Sequence, residues 1–146
     1  MNRLTLLVGI PASGKSTRRK SLEMEGAVVI CPDDIRREVF DTEFNADFEG
    51  LVWFIAKSMG KVLLAQGRDV VIDATNTSVS RRKMWIDLGK SYGATVWAEF
   101  LNTPFEECCD RNLKRSRIVP NDIMERMRDE LVPPERDEGF DMIVTY

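Results

Sequence analysis

An α/β fold built on a parallel sheet of about five strands, with helices on both faces, is predicted from three observations. Short runs rich in Val, Ile and Leu recur along the chain, helical patterns separate them, and a glycine-rich loop follows the first run directly. The runs are Leu4 to Val8, Ala27 to Cys31, Val70 to Asp73, Thr95 to Leu101 and Met142 to Thr145. Between the second and third, Leu51, Val52, Ile55, Met59, Val62 and Leu63 recur at helical spacing up to Gly67, a stripe expected to face the core. A helix opening at Ser78 or Ser80 is expected to close by Gly93, and another, from Pro104, carries Cys108. The last begins with Pro120 in its first turn, sets Ile123, Met127 and Leu131 on one face and stops before Pro133-Pro134. There is no repeat, low-complexity tract or linker, so one domain is expected over residues 1–146.

Composition narrows the chemistry. Hydrophobic residues make up 43% and charged residues 31%, ordinary for a globular protein, and no leader-like or bilayer-length apolar run is present, so a cytoplasmic address without membrane contact is expected. Cys31 stands alone and Cys108-Cys109 are neighbours, which is neither a metal spacing nor a disulfide framework. The chain has no histidine, which removes Ser-His and Cys-His hydrolase schemes and histidine-bound zinc. A net charge of −3 argues against coating nucleic acid by bulk electrostatics. Positive charge is local instead, at Arg18-Arg19-Lys20, Arg36-Arg37, Arg81-Arg82-Lys83 and Arg111 to Arg117; most of these read as solvated helix faces, the last excepted.

The loop Gly9-Ile10-Pro11-Ala12-Ser13-Gly14-Lys15-Ser16 is a complete phosphate-binding P-loop. Its glycines, Gly9 and Gly14, let the backbone fold round an anion with N–H groups inward, Ser13 lies within the wrap, Lys15 reaches the outer phosphates and Ser16 offers a hydroxyl to Mg²⁺. Thr17 adds a second hydroxyl one place into the helix. The chain is therefore expected to bind a nucleoside triphosphate. In parallel α/β sheets, ligands sit beyond the carboxyl ends of the strands, so three further segments should converge there. Asp33 and Asp34 follow strand two, with Arg36 one turn on; either carboxylate could orient a hydroxyl and accept its proton, and Arg36 could steady the transferring group. Asp73 ends strand three where P-loop enzymes keep a carboxylate for Mg²⁺. Arg111, Lys114, Arg115 and Arg117 form a basic segment before Ile118-Val119-Pro120, expected to act as a lid over roughly 111–120.

Together these residues resemble the polynucleotide 5′-kinase family of phage and bacterial end-healing enzymes. The likeness rests on G-x-P-x-S-G-K-S-T at Gly9 to Thr17, D-D-x-R at Asp33 to Arg36, D-A-T-N at Asp73 to Asn76, R-N-x-K-R at Arg111 to Arg115 with Val119-Pro120, and Glu-Gly-Phe before the last strand. The resemblance implies a P-loop kinase fold and transfer of the γ-phosphate of ATP to a 5′-hydroxyl end of DNA or RNA. It further implies Lys15 and Ser16 on the ATP phosphates and Mg²⁺, Asp33 as general base, Arg36 on the transferred phosphate or acceptor end, and Arg115 as the lid arginine, with Arg111 and Arg117 beside the nucleotide. Trp53, Trp85 and Phe44 are candidates to stack on a base of the strand end. Competing readings are a metabolite kinase of the same fold, an aminoacyl-tRNA kinase and a non-catalytic nucleotide-binding module. A basic lid can also be completed by a second copy of the chain, so a homo-oligomer is possible. Small size and a full end-healing motif set suit a phage genome.

Overall fold

The computed structural model describes residues 2–146. Strand β1 (Arg3–Val8) is followed by α1 (Lys15–Met24), β2 (Val28–Ile30), α2 (Pro32–Phe40), α3 (Ala46–Ala65), β3 (Val70–Asp73), α4 (Val79–Ser91), β4 (Thr95–Phe100), α5 (Phe105–Leu113), α6 (Asn121–Glu130), a single 3₁₀ turn over Arg136–Glu138, and β5 (Met142–Thr145). The five strands form one parallel sheet in the order β2-β3-β1-β4-β5. Because β1 lies between β3 and β4, the chain changes direction across it, and the loop leaving β1 opens into a crevice at the carboxyl edge.

The two sheet faces are buried by different helices. Leu4, Leu6 and Val8 point to one face, where Val52, Ala56 and Leu64 of α3 and Trp85, Ile86 and Leu88 of α4 cover them. Leu7 points the other way and packs with Val71 against Leu22 of α1. A third cluster joins Ile10 to Cys108 of α5 and Met124 of α6, seating that helix pair beside the crevice.

All five expected strands form, with β2 and β4 shorter than expected at their ends: Ala27 lies before β2, Cys31 becomes the residue preceding α2, and Leu101 has already turned out of β4. Of the two serines considered for the start of α4, Ser78 is the cap, its Oγ accepting from the Arg81 backbone N–H at 3.2 Å.

The expected α3 stripe needs correction. The ridge that meets the sheet is Val52, Ala56, Gly60 and Leu64, at strict i, i+4 spacing, whereas Leu51, Met59 and Val62 are exposed to 51%, 36% and 57%. Small residues let the helix lie close to the core, and the larger side chains beside them ride its flank. On α6 the fully buried side chain is Met124; Met127 and Leu131, expected there with Ile123, pack at the margin of its cluster.

Candidate active site

Beyond Val8 the backbone wraps into a closed loop. The Gly9 N–H donates to the Thr75 carbonyl at 3.1 Å, fastening the loop to the segment that follows β3. Gly14 adopts a left-handed φ of 110°, open to glycine at no steric cost, and Ala12 is also left-handed at 64°, which for a residue bearing a Cβ costs about 1–2 kcal/mol. Helix α1 then starts with no side-chain cap and no acid in its first turn, so its free N–H groups and positive dipole end face the loop. Ser13 is buried and its Oγ has no hydrogen-bond partner; a Cβ on Gly9 would lie 2.5 Å from that oxygen. The Lys15 ammonium reaches back to the carbonyls of Gly9 and Ile10, 2.9 Å from each. Burial, reinforced by Arg115 nearby, pulls its pKa down to about 8 against the opposing pull of Asp73 and Asp33. An orphaned donor, a strained wrap and a desolvated ammonium fit a polyphosphate seated in the loop. Ser16 and Thr17 stand exposed on the first turn of α1.

The carboxylates around the crevice hold different positions. Asp33 and Asp34 both lie in the first turn of α2 behind Pro32, and neither caps the helix. Asp34 is clamped between Arg37 and Arg19, whose Nη2 donates to it at 2.8 Å. Arg19 also reaches Asp73 at 3.2 Å, so one guanidinium ties α1, α2 and the end of β3 together. Among the described residues the Asp33 carboxylate pairs with Arg36 alone, at 2.6 Å, and its side chain is 55% exposed. Arg36 is in turn fixed by Glu49 of α3, which takes Nε at 2.8 Å and Nη2 at 2.6 Å; this fork first, and then the neighbouring Trp53 indole and the Arg81 guanidinium, hold the Glu49 carboxyl below its ordinary range. Of the two adjacent aspartates, the structure leaves Asp33 open to a ligand.

For a divalent cation, the described residues contain no group of three carboxylate, cysteine or histidine ligands. Asp73, a carboxylate only 12% exposed, and the Ser16 hydroxyl are what the chain offers, a sparse oxygen set that suits Mg²⁺, which keeps waters and phosphate oxygens in its shell.

On the other side of the P-loop, an open groove of about 350 Å³ is lined by Ser13, Gly14, Thr17, Arg18, Thr103 and Tyr146, among others. Arg111 flanks it from the last turn of α5, with Nη1 3.8 Å from the Cβ position of Gly14 and Nη2 paired to Glu107 at 2.6 Å. The segment expected to form a lid is only partly loop, since residues 111–113 belong to α5 and the loop proper is 114–120. Buried Asn112 ties the two ends of this loop together, donating to the Val119 carbonyl at 2.8 Å and accepting the Val119 N–H at 3.0 Å. Arg115 is exposed on this loop and has no carboxylate within salt-bridge distance among the described residues, while its charge is felt at Lys15. Arg117, expected beside the nucleotide, is engaged elsewhere, with Glu43 in the turn after α2 at 3.1 Å.

A family model described as an AAA domain matches residues 4–134. The chain belongs to the AAA domain family. It is 24% identical over 144 residues to an L-seryl-tRNA(Sec) kinase of Methanococcus maripaludis, a match covering 95% of this chain and 56% of that protein. It is 29% identical over 135 residues to a polynucleotide kinase/RNA ligase described as putative and bifunctional, from Autographa californica nuclear polyhedrosis virus, covering 81% of this chain and 19% of the other. Among solved structures, a chain of the Pnkp1/Rnl/Hen1 RNA repair complex superposes with a TM-score of 0.78 at 27% identity, over 89% of this chain and 44% of its own length. The AAA domain here thus has the P-loop kinase fold and a polynucleotide-kinase-like family resemblance, and it spans little more than half of one curated relative and a fifth of the other.

Several residues that shape the site of this AAA domain carry no motif signature. Thr103 ties the P-loop to the β4 side, its Oγ1 donating to the Ser13 carbonyl at 2.7 Å. Arg18 grips Glu99, a buried carboxylate on β4, with Nε at 3.0 Å and Nη2 at 2.8 Å, and the Tyr146 hydroxyl donates to the same Glu99 at 3.1 Å. Arg82, expected on a solvated face with its neighbours, is fully buried, and of the Arg18-Arg19-Lys20 run only Lys20 is exposed; the guanidinium fork can be desolvated when carboxylates and carbonyls meet it. Among the stacking candidates, Trp85 is core at 0% exposure, Trp53 is half-buried and Phe44 is exposed. No helix among the described residues is long and apolar enough to cross a membrane.

The three cysteines are free thiols, and their environments predict selective reactivity. Burial, with Asp73 and Asp34 nearby, pushes the Cys31 thiol up to about 11, and burial likewise raises Cys108. At pH 8 both stay neutral and shielded, so brief iodoacetamide treatment of the native protein should alkylate Cys109 alone, with all three reacting after denaturation. Peptide mapping by mass spectrometry checks this; rapid native labelling of Cys31 would contradict the burial assigned to it.

Proposed function

We propose that this domain transfers the γ-phosphoryl group of ATP to the 5′-hydroxyl end of a nucleic acid strand. The observation that carries the proposal is the asymmetry of the Asp33-Asp34 pair: one carboxylate is consumed by Arg19 and Arg37, while the other stands open beside Arg36 and within electrostatic reach of Lys15. In this reading the P-loop N–H groups and Lys15 hold the triphosphate, Arg36 and Arg115 meet the charge of the transferring group, and Asp33 orients the acceptor hydroxyl and takes its proton. Mg²⁺, held by Ser16 and through water by Asp73, would neutralise charge on the outer phosphates. Arg111 beside Gly14 and Thr17 on α1 would border the bound nucleotide. Arg117 is paired with Glu43 on the surface, and a place beside the nucleotide would require it to leave that exposed pair.

The polynucleotide acceptor is supported by the named activity of the viral relative and by the RNA repair complex. The archaeal relative supports a second reading, in which the hydroxyl belongs to a seryl group on tRNA. Label transfer from γ-labelled ATP to 5′-hydroxyl DNA and RNA oligonucleotides, their 5′-phosphate counterparts and seryl-tRNA separates the two. Labelling confined to 5′-hydroxyl ends supports the first reading, and labelling of seryl-tRNA alone replaces it. Arg115→Ala should lower turnover on the order of 10²- to 10³-fold, as expected for loss of one charge-stabilising donor, without shifting the melting temperature, because the side chain is exposed and unpaired. A lowered melting point with an unchanged rate would make Arg115 structural.

A further inference from the structure

Helix α3 turns one apolar face to the sheet and a second to solvent. Residues 50–56 carry no charge, and Leu51, Phe54 and Val62, exposed to 51%, 69% and 57%, stand on the side of the helix away from the ridge of Val52, Ala56, Gly60 and Leu64. Beside them a groove of about 450 Å³ lies between α3 and the edge strand β2, walled by Val28, Phe54, Ile55, Ser58, Met59 and Val62, among others. A protruding phenylalanine next to an apolar groove is a surface that gains by being covered. Helical spacing makes this face complementary to itself. Asp47 and Ala65 are five turns apart and so lie on one line along the helix, with its midpoint level with Ala56. A two-fold axis through that midpoint, with the second helix antiparallel, sets each Phe54 over the small Ser58 of the other copy. It sets each Val62 over the other copy's Gly50, where an added Cβ meets nothing within 4 Å. Each Asp47 then falls on the other copy's Ala65, between Lys61 and Arg68. Asp47, Lys61 and Arg68 are exposed and have no ion-pair partner among the described residues. A parallel pairing would instead bring acid to acid and base to base, and the antiparallel one also sets the positive end of each helix beside the negative end of the other.

We propose that a second copy of this chain docks on this face, so that the domain forms a two-fold dimer through antiparallel α3 helices. The contact is isologous: each copy supplies the same phenylalanine and the same groove. A helix of 20 residues is about 30 Å long and about 10 Å across, so the strip it buries is on the order of 500 Å² per copy, below the roughly 800 Å² of a standard specific interface. The dimer is therefore a weak one, with a Kd in the micromolar range. Its contact uses no residue of the 114–120 loop, so it differs from an assembly completed at the lid.

Sedimentation velocity in reducing buffer, from about 1 to about 200 μM protein, should follow the wild type from monomer to dimer. Phe54→Asp should raise the Kd about a hundredfold, because each substitution acts twice in a two-fold contact. Its melting temperature at the dilute end should stay at the wild-type value, since Phe54 is 69% exposed. Asp47→Lys and Lys61→Glu should each weaken the dimer, and the double variant should recover it, because exchanging both charges preserves their pairing across the axis; a fault in folding would not be repaired in this way. A wild type that stays monomeric at every concentration would overturn the proposal. A dimer that survives Phe54→Asp, or a double variant weaker than either single one, would do the same. Binding of a monomeric wild type to phosphatidylcholine–phosphatidylserine vesicles, lost in Phe54→Asp, would overturn it in favour of a lipid surface as the occupant of the face.

Discussion

Asp33→Asn should retain ATP and lose transfer, with kcat falling on the order of 10²- to 10⁴-fold, the span a positioned general base contributes. The substitution keeps the size of the side chain and removes only its capacity to take a proton. Its structural cost should be small, because Asp33 is 55% exposed and its partner Arg36 keeps the two-pronged contact with Glu49. Nucleotide affinity should be nearly unchanged, since among the described residues Asp33 makes no hydrogen bond or ion pair to the P-loop and reaches Lys15 only through its charge. The informative control is Asp34→Asn. That change leaves Arg19 and Arg37 without their shared carboxylate, so it should cost stability and disturb the Arg19 contact to Asp73, with a smaller effect on rate at a temperature where the variant is folded. Equilibrium binding of a fluorescent ATP analogue beside single-turnover label transfer separates binding from chemistry. If Asp33→Asn transfers at the wild-type rate while Asp34→Asn does not, the two aspartates exchange roles and the open carboxylate is a surface residue.

The legibility of the sequence follows the range of the forces involved. The P-loop, the strand runs and the helix capped by Ser78 were readable because each depends on local backbone needs: a left-handed Gly14, β-branched residues buried on both faces, a side-chain oxygen for a free N–H. Side-chain pairing over long sequence distances was not readable. Arg19 serves Asp34 and Asp73, fifteen and fifty-four residues away, and Arg18 serves Glu99 across eighty-one, so basic runs that resemble solvated faces proved to be half-buried clamps. The choice between Asp33 and Asp34 was open in the sequence for the same reason, since it turns on which carboxylate an arginine from α1 occupies. On α3 the helical period was visible, but the stripe rested on large side chains, whereas the face meeting the sheet uses Ala56 and Gly60, which a hydrophobicity pattern weighs lightly. Asn112 was legible as part of a motif, yet its use, clasping residues 112 and 119, depends on a loop closure that the motif does not state.

Arg82→Met should be the most destabilising single change in the chain outside the hydrophobic core. Arg82 has no exposure and forks onto Glu138 with Nε at 2.8 Å and Nη2 at 3.0 Å. Its Nη1 also donates to the carbonyls of Asn76, Thr77 and Val132, at 3.0, 3.2 and 2.8 Å. One side chain therefore joins α4, the corner after β3, the segment after α6 and the turn before β5. Methionine fills comparable volume but leaves the Asn76 and Val132 carbonyls without their donor and a nearly buried carboxylate with the Glu135 N–H but no counter-charge, a loss of about 3–5 kcal/mol for removing one partner of a buried pair. At about 2–4 °C per kcal/mol for a domain of this size, the melting temperature should drop by roughly 10 °C. Glu138→Leu in the same background should restore part of the loss, because the uncompensated charge is then gone, and the recovered fraction measures the coupling of the pair. The corner that Arg82 holds includes Asn76, left-handed at φ 47°, whose Nδ2 donates to the Leu7 carbonyl at 2.7 Å, and Thr75, whose carbonyl accepts from Gly9. Loosening it should displace Asp73 and the start of the P-loop together, so nucleotide binding should weaken even below the melting transition. A variant that melts within a degree of the wild type and binds nucleotide normally would show that the five hydrogen bonds of Arg82 do no more than offset the cost of burying its charge.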